Sequence, residues 1–218
     1  MKKKRSGAVI AVKLILILSL SVLLYAVVQV VKAPIEARQA LQAWEKKREE
    51  AVNPSHIEEQ PLPEGMINVP ATDPGSKPSY TEGEVIGEIF FPTLNKKVAI
   101  LEGTDSPQLK KGAGHYAGSA AIGMDGNSVL AGHRDTVFRN LGELAIHDPI
   151  EVETASGKFT YEITGSVIVD KDERGAIKSS AEPVLTLITC YPFSFVGSAP
   201  DRYLLTARLV GKEPLGSF

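Results

Sequence analysis

The spacing of apolar and polar positions divides the chain into stretches of different character. From Leu14 to Val31 the sequence LILILSLSVLLYAVVQVV runs without a charge. A helix of that length rises roughly 27 Å, close to the hydrocarbon thickness of a bilayer. Extending it to Ala8 leaves Lys13 able to snorkel toward the headgroups. Glu36–Val52 (EARQALQAWEKKREEAV) lacks Pro and Gly and predicts a helix, with Ala37, Ala40, Leu41 and Trp44 on one modest apolar face. That helix reads as a continuation of the anchor through the headgroup layer. Residues 53–84 carry six of the 14 prolines and few large apolar residues, the composition of an extended spacer.

Beyond residue 84 the period changes again. Short runs rich in Val, Ile, Thr and Phe are punctuated by Gly, Asn and Pro. Val85–Pro92 and Lys97–Glu102 predict two strands around a turn at Leu94-Asn95-Lys96. Ser106-Pro107 opens a short helix that Gly112 closes, and Ser128–Ala131 predicts a strand ending at Gly132-His133. Val137–Leu144 reads as another short helix, capped by Asp135 or Thr136. Ile150–Glu153 and Phe159–Ile168 flank Ser156-Gly157 as a hairpin. Val184–Cys190 and Tyr203–Val210 complete the set. About eight strands joined by short helices predict an all-β, closed or nearly closed barrel.

The expected organisation is therefore a basic tail (1–7), a transmembrane signal anchor (8–31), a juxtamembrane helix (32–52), a Pro-rich spacer (53–84) and a barrel domain (85–218). Charge orients it. Residues 1–35 hold six basic groups and no acid, and Lys2, Lys3, Lys4 and Arg5 keep that end in the cytoplasm. A cleaved signal peptide would need small residues after its apolar core, where Val27–Ala33 reads VVQVVKA. A single-pass protein with its barrel outside the cell follows. Residues 36–218 hold 18 basic and 26 acidic groups, a net charge of -8 that argues against a nucleic-acid partner.

One cysteine excludes an internal disulfide, and an idle thiol outside the cell is an oxidation liability. Cys190 closes the apolar run VLTLITC just before Tyr191-Pro192, where a strand end can half cover a thiol and still present it. A neighbouring cation would activate it. Three histidines in the domain qualify: His133 in AGHRD, His115 in GHY, and His147 in HDP; His56 lies in the spacer and reads as idle. Spacing alone does not choose between His133 and His115. Arg202 in APDRY follows Cys190 by 12 residues at the start of the next strand. There it could stabilise an oxyanion, or simply pair with Asp201. No CxxC or HxxxH is present, so neither metal nor cofactor is expected.

The stretches GHYAGSA (114–120), SVLAGHRDTVFRNLGEL (128–144) and LTLITCYPFSFVGSAPDRYLL (185–205) resemble the sortases, most of all those of class D from Gram-positive bacilli. The TLxTC signature stands here as Thr186–Cys190. The resemblance implies Cys190 as nucleophile, His133 as general acid and base, and Arg202 as oxyanion or substrate clamp. Thr189 would contribute a hydroxyl or backbone contact beside the reacting carbonyl, and His115 has no catalytic counterpart. It further implies a membrane-anchored cysteine transpeptidase that cleaves secreted proteins after Thr in a Leu-Pro-x-Thr-Gly or -Ala motif. A thioacyl enzyme then passes the protein to an amine of a peptidoglycan precursor or stem peptide. Two other classes remain for comparison. A binding-only barrel would leave Cys190 inert to thiol reagents, and an L,D-transpeptidase would carry an SHGC-type motif where this chain reads LIT.

Overall fold

Strand-forming runs of the kind described above cannot bury one face alone, and here they close on one another. In the computed structural model, residues 4–52, 78–194 and 197–215 are described. Eight strands make a closed barrel: β1 (Val85–Phe91), β2 (Lys96–Glu102), β3 (Ala113–His115), β4 (Asn127–Ala131), β5 (Pro149–Thr154), β6 (Gly157–Asp170), β7 (Val184–Tyr191) and β8 (Asp201–Glu213). Around the barrel they run β1-β2-β3-β4-β7-β8-β6-β5, and β5 pairs back onto β1. Two of the pairings, β2 with β3 and β4 with β7, are parallel. Strand alternation sends Ile89, Ile100, Leu130, Val152, Leu185, Leu187 and Leu205 into one interior core. The barrel expected from the strand pattern is thus present.

Two local features differ from the sequence reading. The three-residue β3 is too short to show alternation, and it exists because Gly114 lets two backbones meet. A Cβ there would lie 2.4 Å from the Gly103 carbonyl oxygen. The helix expected over Val137–Leu144 is a series of turns ending in a single 3₁₀ turn at Leu141–Glu143. Its bonds are the tight kind, Leu141 N–H to Phe138 O and Glu143 N–H to Asn140 O, while Phe138 N–H reaches back to His133 O at 2.9 Å. Val137, Phe138, Leu141 and Leu144 are all buried in the barrel core, and burying all four governs this segment over helix propensity, already weakened by Gly142.

The N-terminal helix α1 runs unbroken from Lys4 to Val52, with Pro34 inside it. Val9–Val27 is long and apolar enough to cross a membrane, and its side chains are exposed. The sequence reading sent the Ala40–Trp44 face into the headgroup layer; in the structure it lies against the barrel. Ala40 packs with Ala99 and Leu101 of β2, and Trp44 is 1% exposed. Lys47 Nζ donates to Glu84 Oε1 at 2.7 Å, and Arg48 approaches Glu153 of β5 at 3.7 Å. The Lys47 ammonium, helped by the Thr81 N–H, holds the Glu84 carboxyl below its ordinary pKa. The spacer expected at 53–84 falls outside the described residues up to 77, and so does His56.

Candidate active site

Strand register builds the site. In β7, Leu185, Leu187 and Thr189 point inward, so Ile188 and Cys190 lie on the outer face near the end of the strand. Cys190 is a free, half-buried thiol. Antiparallel pairing sets Arg202 of β8 directly opposite it, and opposed residues share a face. On the other side, β4 runs parallel to β7, with Ala131 level with Ile188. The contact continues one residue past the strand: Gly132 N–H donates to Ile188 O at 3.1 Å, and half-buried His133 follows next in the chain. Cys190 and Arg202 are thus direct register partners, and His133 lies two residues beyond the end of the strand that flanks β7 on its other side, although His133 and Arg202 are 57 and 12 residues from Cys190 in the chain.

The segment carrying His133 is tightly held. The Thr189 hydroxyl donates to Gly132 O at 2.7 Å, and Thr189 is 3% exposed. Its hydroxyl is thus bonded to the segment that carries His133. Gly132 has no space for a side chain, since a Cβ would sit 2.5 Å from the Phe138 ring. Lys96 donates to Thr136 O at 2.8 Å and Arg134 to Gly197 O at 2.8 Å, tying the same loop to β2 and to the β7–β8 connection. Burial, with Arg139 nearby, lowers the Lys96 ammonium pKa.

By contrast, no hydrogen bond or ion pair among the described residues occupies the His133 ring or the Cys190 thiol. Arg202 lies beside the thiol strand, but its guanidinium donates to the carbonyls of Asp201 (2.9 Å) and Ala199 (3.3 Å), not to the Asp201 carboxylate. Next to the Cys190–Arg202 pair, on the same outer face, is an open depression lined by Val169, Asp170, Lys171, Ile177, Ile188 and Arg202. Ile188 and Ile177 were not singled out from sequence; for Ile188 the available signal was its position two residues before Cys190.

The other two histidines are elsewhere. His115 is buried on β3, its Nδ1 2.7 Å from Glu102 Oε2. His147 sits on an exposed turn beside Glu162, which also accepts from Arg208 and is held below the usual carboxylate range mainly by that guanidinium. Among the described residues, no three or more His, Cys, Asp or Glu side chains gather into a set able to hold a metal ion.

The half-buried Cys190 thiol and the Arg202 guanidinium thus lie beside a depression lined by both apolar and charged side chains, with His133 close to the end of the neighbouring strand. Comparison with known proteins agrees. The sortase domain family matches residues 89–210. Sortase D of Bacillus subtilis is 46% identical over 129 residues, which are 59% of this chain and 65% of that protein. Sortase A of Listeria monocytogenes is 28% identical, over 51% of this chain and 52% of its own length. This chain thus spans less than two thirds of the curated relatives it matches. Among solved structures, the catalytic domain of B. anthracis SrtD aligns with a TM-score of 0.54 at 41% identity, covering 64% of this chain and 96% of that domain. A Clostridium perfringens sortase D5 transpeptidase aligns at 0.55 with 28% identity, over 61% of this chain and 83% of its own. The chain belongs to the sortase family.

Proposed function

We propose that this protein is a membrane-anchored cysteine transpeptidase that cleaves a Leu-Pro-x-Thr-Gly or -Ala sorting motif after Thr and transfers the acyl group to an amine of a cell-wall precursor. The observation that supports this reading is the direct pairing of Cys190 with Arg202, with His133 just beyond the end of the strand on the other side of β7. Cys190 Sγ attacks the Thr carbonyl carbon as its proton passes to His133, and the oxygen takes the negative charge beside the Arg202 guanidinium. His133 gives a proton to the leaving amine as the peptide bond breaks, which leaves a thioester on Cys190. The incoming amine attacks that thioester, His133 takes up its proton and passes it to the departing sulfur, and the thiol returns as the new amide forms. The Ile188–Arg202 depression supplies the adjoining surface for the motif. Val9–Val27 anchors the chain with residue 36 onward outside the cell, which confines enzyme, protein substrate and a membrane-bound acceptor near one face.

The test uses the full chain and two quenched fluorescent peptides, one carrying Thr-Gly and one Thr-Ala, with and without an added amine. Cleavage that disappears in Cys190→Ala and yields an amine adduct by mass spectrometry is expected. If Cys190→Ala retains turnover, the nucleophile is misassigned. A folded protein whose Cys190 resists alkylation would point instead to a binding module.

A further inference from the structure

The proposed chemistry accounts for the rim of the barrel but leaves the contact between α1 and the outside of β1, β2 and β5 without a purpose. A helix that merely left the membrane would keep its polar faces in water. Here Ala40, one of the smallest side chains, meets Ala99 of β2, itself 1% exposed, so that helix and sheet approach closely. One turn later Trp44, the chain's one tryptophan, is buried against the domain. A further turn on, Lys47 and Arg48 reach Glu84 and Glu153. Glu88 of β1 is 5% exposed although it lies on the strand's outer face, opposite Ala99 and Glu153.

The attachments run from Ala40 to Arg48, about 12 Å along the helix axis. A tether held at one point lets a domain swing; contacts spread over 12 Å fix the direction of the axis as well. We infer that residues 40–48 of α1 are a docked strut that holds the barrel at a set height and orientation above the membrane, and that the site is thereby matched to an acyl acceptor carried on a lipid. This rests on the reading of Val9–Val27 as a membrane anchor and of the site as a transpeptidase. From Val27 to Ala40 a helix rises about 20 Å, which sets the height. Pro34 lies in that interval, within a helix that continues unbroken to the docked segment.

The full chain in lipid nanodiscs provides the test, because Trp44 emission reports docking directly. In the wild type, emission should be blue-shifted from that of the urea-unfolded chain and shielded from acrylamide. Ala40→Arg and, separately, Lys47→Glu/Arg48→Glu should shift it red and open it to quencher. Transfer from the sorting-motif peptide is then measured to a soluble glycyl peptide and to the same peptide on a phospholipid in the disc. Both variants should stay within about twofold of wild type with the soluble amine and lose about tenfold with the lipid-borne one, the effective concentration given by fixed geometry. Wild-type Trp44 as accessible as in the unfolded chain overturns the strut. Exposed Trp44 with undiminished transfer to the lipid-borne amine overturns its role. Absence of turnover with either amine counts against the transpeptidase reading, while the fluorescence still decides whether the strut is docked.

Discussion

Two histidines in this chain follow glycine at the end of a short strand, His115 in GAGHY and His133 in LAGHR, and the barrel treats them in opposite ways. His115 is buried, with both ring nitrogens engaged. Nδ1 meets Glu102, its register partner on β2, while Nε2 faces Ala120 O at 3.0 Å and Ser119 Oγ at 3.2 Å. The Ser119 hydroxyl spends its own proton on Tyr116 O, so Nε2 is the donor to both oxygens. His133 is half exposed and its ring has no such partners among the described residues. A histidine with both nitrogens committed inside a core is a structural pin. One held through its backbone segment, with no ring partner among the described residues, fits the proton-carrying role proposed for His133.

The largest expected effect separates the two by function. His133→Ala should lower turnover of a sorting-motif peptide by about a thousandfold, in the range general acid–base groups contribute, and leave the melting temperature within about 2 °C of wild type. Cys190→Ala should abolish turnover with as little effect on stability. His115→Leu should do the reverse. It leaves Glu102 buried without its partner, and breaking a buried pair costs about 3 kcal/mol, read as a fall of roughly 10 °C in calorimetry. Replacing both partners, as Glu102→Leu/His115→Leu, should recover much of that loss because no uncompensated charge remains. If His115→Leu proves neutral for stability, the distinction drawn here between pin and proton carrier fails.

The chain's own pattern disclosed much of this. Alternating short apolar runs predicted the barrel, and the position of Cys190 at a strand end predicted a half-covered thiol. Register did not show in the pattern. That Gly132 bonds to Ile188, with His133 next in the chain, depends on a parallel contact between strands far apart in sequence. Val137–Leu144 reads as a short helix behind a cap at Asp135 or Thr136; its Val137, Phe138, Leu141 and Leu144 fill the barrel core, and that demand decides the backbone. The bond from the Thr189 hydroxyl to Gly132 O likewise depends on the parallel contact and does not show in the pattern.

Alkaline pH should reveal the structural half of the comparison. The loop after β3 is held by His115 at Ala120 and again at Gly123, whose N–H donates to the buried Tyr161 hydroxyl at 2.9 Å. Burial pushes the Tyr161 phenol from its ordinary value of 10.0 up to about 12, with the Gly123 N–H pulling the other way. A phenol whose folded pKa lies above its unfolded value supports the fold fully below pH 10, and that support is lost as pH rises toward 12. Stability measured by urea unfolding should therefore decline above pH 10, by about 2 kcal/mol when the titration is complete. Tyr161→Phe should flatten this part of the profile. An unchanged alkaline decline in that variant would assign the titration to another group.

The smallest effect should come from the residue that joins the two halves. Thr189 belongs to the interior by burial and to the site by its bond to Gly132 O, one residue before His133. Thr189→Val keeps the shape and removes the donor, leaving a carbonyl unsatisfied at a cost of about 1–2 kcal/mol. The activity loss should exceed what that destabilisation explains, because the His133 segment loses its tie to β7. A fall of about tenfold in kcat, with KM little changed, is expected for loosened positioning of a proton carrier. Thr189→Ser, which retains the hydroxyl, should restore most of the rate while still lacking the methyl group. If Val and Ser variants lose activity equally, the methyl's packing matters and the hydroxyl does not, and His133 must be held by its other contacts. If the Val variant instead raises KM with kcat intact, Thr189 acts on substrate binding, and the inward hydroxyl would not be its operative group.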